Sequence, residues 1–209
     1  MSKAERRAKY GDRSIENDDL SQEQLRTFLE AFLNVAARRA LIAGAASYVT
    51  HPAGARSLEF GIAFDAAGYR FHEGLVWNKG RMVLGHSDYH YAHEPIIFGY
   101  APGGGRRGRG GEGWYGDASQ TSVFDVPKPM ASPDHPTPKP PELIIAMVRN
   151  SCPVDGTVYD PFTGTGSTLV AAESIQRIGH GVELDPRYAA VTLQRFADMG
   201  LTPTLDASE

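Results

Sequence analysis

The residues that most restrict the fold lie between positions 157 and 168. Thr157-Val158-Tyr159-Asp160 is a strand-forming run, and it passes through Pro161-Phe162-Thr163-Gly164-Thr165-Gly166 straight into Ser167-Thr168-Leu169-Val170-Ala171-Ala172, which reads as helix. A strand that turns through two glycines into a helix must fold that helix back onto its own sheet. Gly164 and Gly166 permit the tight turn and a close approach of backbone to a ligand. The helix start beyond them offers unpaired N–H groups.

The same alternation runs along most of the chain. Ser21 with Gln24 forms a capping box ahead of Leu25, Phe28, Leu29, Phe32 and Leu33 at helical spacing. Residues 45–50 then read as a strand, 54–67 as a helix stopped by Gly68, and 69–78 as a second strand. Residues 93–100 are a further strand, with Pro95 placing it near a strand start or an edge. From 101 to 138 the chain is rich in Gly, Pro, Arg and Ser without periodicity, which is too long for an ordinary connection and is read as an insert. Regularity returns with a helix over 140–150, a strand over 157–160, a helix over 167–176, a strand over 180–184 and a last helix after Pro186. Such alternation predicts an α/β fold, a doubly wound, mainly parallel sheet covered on both faces.

Length and composition bound this picture. The 209 residues suit a single domain, with 41% hydrophobic and 22% charged residues and no apolar run near a membrane span. Residues 1–12 are charged and lack the apolar core of a secretory signal, so a cytoplasmic protein with no membrane partner is expected. Cys152 stands alone, which excludes an internal disulfide and a cysteine-based zinc site within one chain. The net charge of -4 argues against wrapping nucleic acid through overall positive charge. Locally, Lys3, Arg6, Arg7, Lys9 and Arg13 crowd the start, and Arg106, Arg107 and Arg109 sit in the glycine-rich run 103–113, where either cluster can meet phosphates. His86, His90 and His93, with Asp88 and Glu94, raise the question of a metal. Polar loop contacts explain them better, and no metal is expected.

Glu183 falls at the end of the strand after the glycine turn, about the separation at which a carboxylate accepts hydrogen bonds from both hydroxyls of an adenosine ribose. A dinucleotide enzyme uses the same parts, but its third glycine would fall where this chain has Leu169. On the residues alone, a plain turn and a solvated strand end remain the bland alternative.

Flanking residues narrow the choice. Asp160-Pro161-Phe162 before the glycines and Glu183-Leu184-Asp185-Pro186 after them resemble two motifs of the amino-methylating DNA methyltransferases. His135-Pro136-Thr137-Pro138-Lys139-Pro140 resembles the stretch that this family places ahead of its glycine motif. Ser14-Ile15-Glu16-Asn17-Asp18, and Val76-Trp77-Asn78-Lys79 through His93-Glu94-Pro95, are similar to phage and bacterial members. The order of these motifs resembles the permuted β-type arrangement.

That resemblance implies a Rossmann-like fold binding S-adenosylmethionine over residues 158–186. The cofactor-binding residues would be Asp160, Pro161, Phe162, Gly164, Gly166, Ser167, Thr168 and Glu183. Thr137 and Lys139 would hold the methionine carboxylate. It divides one methyltransferase domain into a target-base half (13–100), a target-recognition insert (101–134) whose Arg106, Arg107 and Arg109 meet DNA, and a cofactor-binding half (135–198). The implied activity is site-specific methylation of a base amino group in DNA, with adenine favoured over cytosine. The alternative is a non-catalytic module that binds S-adenosylmethionine and DNA. Phe162 divides evenly between cofactor contact and core, while core packing is favoured over a base pocket for Trp77 and Tyr100.

One family element is absent. The catalytic tetrapeptide Asp-Pro-Pro-Tyr, or a variant such as Ser-Pro-Pro-Trp, belongs just upstream of Ser14 and does not occur there. In the family its strand lies beside the glycine-motif strand. The expectation is therefore a sheet missing one central strand, completed by residues 1–12, an upstream segment, a second chain or rearranged neighbours, since two bare strand edges would leave backbone groups unpaired.

Overall fold

A computed structural model describes residues 20–84, 88–105, 111–129 and 139–202. Helix α1 (Gln22–Arg39) opens on the expected capping box: Ser21 Oγ accepts from the Gln24 N–H and the Gln24 side chain accepts from the Ser21 N–H. Leu29, Leu33 and Ala36 are its buried face. Strand β1 (Ala46–Thr50), helix α2 (Ser57–Ala66), strand β2 (Arg70–Asn78), strand β3 (His93–Tyr100) and strand β4 (Val123–Asp125) follow. Then come helix α3 (Pro141–Ser151), strand β5 (Thr157–Asp160), helix α4 (Ser167–Ser174), strand β6 (Ile178–Gly181) and helix α5 (Pro186–Asp198).

The first four strands form a sheet in the order β1-β3-β2-β4. Three of them run one way, because β1 and β2 are both antiparallel to β3 and β4 is parallel to β2. The reversed β3 departs from a simple strand–helix alternation for a local reason. No helix intervenes between β2 and β3, and a direct return connection makes an antiparallel pair. β4 lies inside the stretch read as an insert without structure. Its attachment is anchored by the Trp77 Nε1–H donating to the Val126 carbonyl at 2.7 Å and by Asn78 Nδ2 donating to Asp125 at 2.7 Å.

β3 shows how the sheet is covered. Ile96, Phe98 and Tyr100 pack into one core with Leu143, Ile144, Met147 and Val148 of α3 and Ala171 of α4. Ile97, between them, packs into the opposite core with Leu29 and Leu33 of α1 and Ala63 and Phe64 of α2. The period of two carries successive side chains to opposite faces, so the five buried residues Ile96 to Tyr100 are those of a strand with helices on both sides. The doubly covered α/β fold is as expected. Within the second core the Arg26 Nε–H donates to the buried Glu59 carboxylate at 2.7 Å, tying α1 to α2.

β5 and β6 pair in parallel as a separate two-stranded sheet. Among the described residues β5 pairs on one edge only, with β6, and β1 on one edge only, with β3. The two sheets are joined through side chains: Val158 and Tyr48 both pack against the α3 core, and the Tyr48 and Ser151 hydroxyls are 2.6 Å apart. β6 begins at Ile178, earlier than expected, because α4 ends at Ser174 and the chain reverses through Gln176 at φ 60°, with the Arg177 N–H donating to the Ala172 carbonyl.

Candidate functional site

The carboxyl end of β5 leads into a loop whose bonds are nearly all its own. Asp160 Oδ1 accepts from the Phe162 N–H at 3.0 Å, a short turn that an aspartate side chain makes readily. The Asp160 carbonyl accepts from the Thr163 hydroxyl at 3.0 Å, and the Thr163 N–H donates to Val182 at 3.0 Å. Gly166 caps α4 with φ 77°, a left-handed backbone that an L side chain adopts only under strain, and no side chain caps the helix start. The first N–H groups of α4 thus stay open to a ligand, as Ser167 and Thr168 begin the helix half-buried.

Glu183 lies two residues past β6, on the turn rather than in the strand. Its carboxylate is directed at the loop: one oxygen accepts from the Gly164 N–H at 2.7 Å and the other from the Asp185 N–H at 2.9 Å. A carboxylate offers about four acceptor positions, so two remain for hydroxyls of a ligand. Asp185 caps α5 by accepting from the Arg187 N–H at 2.9 Å, and the Arg187 guanidinium beside it holds its carboxyl below the ordinary value.

α5 closes the loop from behind. The Thr192 hydroxyl donates to the Gly164 carbonyl at 3.2 Å, and Arg195 donates to the Thr165 carbonyl at 2.6 Å. Burial holds the Arg195 guanidinium below its usual value. Neither residue follows from sequence reasoning, because a threonine and an arginine on an amphipathic helix carry no signal until the backbone they touch is known.

Asp160, Pro161, Phe162, Gly164, Gly166, Ser167, Thr168 and Glu183 are brought together on this one loop and its neighbouring turn. Phe162 is not core. It is 58% exposed and packs against α1, its ring centroid 4.8 Å from Phe32 and 6.2 Å from Phe28. Thr137, Arg106, Arg107, Arg109, His86, residues 1–12 and residues 14–18 lie outside the described residues. Among the described residues no group of histidine, cysteine and carboxylate side chains is arranged to hold a metal, and no helix is long and apolar enough to cross a membrane.

Lys139 lies elsewhere, on a cavity of about 260 Å³ lined also by Thr50, His51, Pro52, Trp77, Glu94 and Lys128. These positions follow β1, end β2, begin the reversed β3 and follow β4, so they share one end of the four-stranded sheet, the end at which open α/β sheets bind ligands. Lys79 Nζ is 2.9 Å from Glu94 and 5.7 Å from the centre of the Trp77 ring. Burial pushes the His51 imidazole below its ordinary value. Trp77 and Tyr100 are core residues, 1% and 2% exposed, although an edge of Trp77 reaches the cavity. A smaller hollow, at the opposite end of β3 beside Tyr100 and Arg70, is lined largely by glycines.

A family model described as DNA methylase matches residues 10–194. Among curated proteins, the type II methyltransferase M2.MboI of Moraxella bovis is 28% identical over 94 residues, covering 43% of this chain and 34% of its own. The type II methyltransferase M.HinfI of Haemophilus influenzae is 32% identical over 69 residues, covering 33% of this chain and 19% of its own. The matched stretches thus span about a third and about a fifth of these relatives. Among solved structures, a DNA modification methylase of Thermus thermophilus complexed with S-adenosyl-L-methionine superposes with TM-score 0.62 at 24% identity, covering 90% of this chain and 88% of its own. The complex of M1.HpyAVI with SAM gives 0.65 at 16% identity, covering 81% and 82%. The cytosine-N4-specific PvuII DNA methyltransferase gives 0.68 at 17% identity, covering 88% and 74%. At these identities the superpositions speak to the fold.

Proposed function

This chain belongs to the N6/N4 DNA methylase family, and from that premise we propose that it binds S-adenosylmethionine at the loop after β5 and methylates an exocyclic amino group in DNA, with adenine favoured over cytosine. The observation that carries this reading is the Glu183 carboxylate, aimed across the turn at Gly164 beside the uncapped start of α4. A carboxylate for ribose hydroxyls and open N–H groups on a glycine loop fit an adenosine-bearing ligand. Asp160, Pro161, Phe162, Gly164, Gly166, Ser167, Thr168 and Glu183 would hold it, with Thr137 and Lys139 at its methionine end. When bound, S-adenosylmethionine supplies an electrophilic methyl group on a sulfonium centre.

The chain's own residues have the rest of the work. The target base leaves the stack, at a cost of about a few kcal/mol, because its amino group is out of reach inside a duplex. The cavity over Trp77, with the Lys79–Glu94 pair and His51 around it, is the place we assign to that base. Residues 101–134 act as the target-recognition region, in which Arg106, Arg107 and Arg109 neutralise phosphates. Replacing all three should flatten the dependence of DNA affinity on salt, by roughly 0.9 in log–log slope for each phosphate left without its arginine. An unchanged slope would remove the arginines from the interface.

A second reading has an observation of its own. The family's tetrapeptide does not occur upstream of Ser14 in these 209 residues, and β1 and β5 each keep one edge unpaired among the described residues, which favours a module that binds cofactor and DNA without transfer unless a further strand joins it. Tritiated methyl transfer onto mixed DNA separates the two. Activity from this chain alone supports the enzyme, and activity only on adding a segment that carries the tetrapeptide supports completion from elsewhere. Cofactor binding without transfer in either case supports the module. Full cofactor affinity in Asp160→Ala and Glu183→Ala would refute the site itself.

A further inference from the structure

We propose that Thr192 and Arg195 of α5 are positioning residues for the cofactor loop, holding the Gly164 and Thr165 carbonyls toward α5 so that the N–H groups on the far side of the same peptide planes face the ligand. The nature of the ligand rests on the reading above, whereas the brace is a property of the ligand-free chain.

Successive loop carbonyls are held by one helix face. Thr192 and Arg195 are three apart on α5 and so lie side by side. Thr192, 7% exposed, donates its hydroxyl to the Gly164 carbonyl at 3.2 Å, and Arg195 donates to the Thr165 carbonyl at 2.6 Å while reaching the Ser167 hydroxyl at 3.5 Å. In a trans peptide the N–H points opposite to the carbonyl of the same plane. Fixing the Gly164 carbonyl therefore aims the Thr165 N–H away from α5, and fixing the Thr165 carbonyl sets the plane that carries the Gly166 N–H, which donates to Thr163 at 2.9 Å and closes the turn.

The loop also rests directly on this helix. A Cβ at Gly166 would stand 2.6 Å from Thr192 Cγ2 and 2.8 Å from its hydroxyl, so Thr192 fills the space that a side chain at 166 would need. Glu183 holds the Gly164 N–H from the other side at 2.7 Å. One peptide is thus gripped at its donor by β6's turn and the next at its acceptor by α5. A loop held in its bound shape loses less conformational freedom on binding, and that saving appears as affinity.

The test compares full-length Thr192→Val, Thr192→Ser, Arg195→Met and Arg195→Lys with the wild type. S-adenosylmethionine affinity is measured by calorimetry, and amide hydrogen exchange at residues 164–168 is measured without ligand. Losing one of these hydrogen bonds should weaken cofactor binding about tenfold in Thr192→Val and in Arg195→Met. Thr192→Ser, which keeps the hydroxyl, should stay within about twofold, and Arg195→Lys should recover part of the loss. Loop exchange should accelerate in the two deleting variants. A helix contact that served only stability would lower the melting temperature of Thr192→Ser and Thr192→Val alike without this split. Wild-type affinity in Thr192→Val and Arg195→Met, or an equal loss in Thr192→Ser, would overturn the proposal. If the wild type itself binds no S-adenosylmethionine, the reading of the ligand fails, and loop exchange alone decides the brace: faster in the deleting variants supports it, unchanged overturns it.

Discussion

Glu183 distinguishes a residue that only awaits a ligand from one that also builds the site. Both of its oxygens accept backbone N–H groups without any ligand, from Gly164 at 2.7 Å and from Asp185 at 2.9 Å. Hydrogen bonds to a charged group contribute about 1.5–3 kcal/mol each when well shielded. Glu183 is partly exposed, and solvent screening reduces the pair to roughly 1–3 kcal/mol in total. Glu183→Ala should therefore destabilise the ligand-free protein by that amount in urea unfolding at unchanged slope. Glu183→Gln should lose about half, because its amide NH₂ would face one N–H donor with another. The same variants should lose S-adenosylmethionine binding. If Glu183→Ala unfolds within about 0.5 kcal/mol of wild type, as an ordinary surface substitution would, the carboxylate does not hold the turn, and the geometry described for it is wrong.

Three further outcomes are expected. Gly166→Ala should cost about 2–4 kcal/mol from its left-handed backbone and its overlap with Thr192, and adding Thr192→Ala should return part of this in a double-mutant cycle measured by urea unfolding. For His51, burial lowers the folded value below the ordinary 6.5, against the opposing pull of Glu94 and the Pro52 carbonyl. The unfolded chain then binds its proton first as the pH falls, so stability is lost below about pH 6.5. His51→Gln should flatten that limb of melting temperature against pH, and an identical limb would show that another group titrates. Trp77→Phe should release Val126 and cost roughly 1–3 kcal/mol, with faster hydrogen exchange at Val123–Asp125 as the local readout.

Much of the architecture was legible because it is written in local chemistry. The capping box at Ser21 and Gln24, the strand at Thr157–Asp160 and the glycine turn after it each combine propensity, pattern and turn residues that agree. β4 was not legible, since three residues show no period, and it exists through its pairing to β2. The direction of β3 depended on what does not intervene between residues 78 and 93, a topological fact rather than a propensity. At the site, Glu183 was recognisable as an acceptor but not as a partner of Gly164. Thr192 and Arg195 were invisible because their partners are backbone carbonyls, and backbone carbonyls look alike in every sequence.

The junction between the two sheets has a consequence for how the molecule opens. Strand ladders make cooperative units, and among the described residues no ladder bond joins β1–β4 to β5–β6. What joins them is the apolar face of α3, with Leu143, Ile144, Met147 and Val148, together with the Tyr48–Ser151 contact. Subglobal opening should therefore follow this seam, with the β5–β6 unit and its loop exchanging amide hydrogens as one group below the global unfolding energy. A ligand that touches only that unit would first raise the stability of the unit, and would reach the rest of the protein through α3.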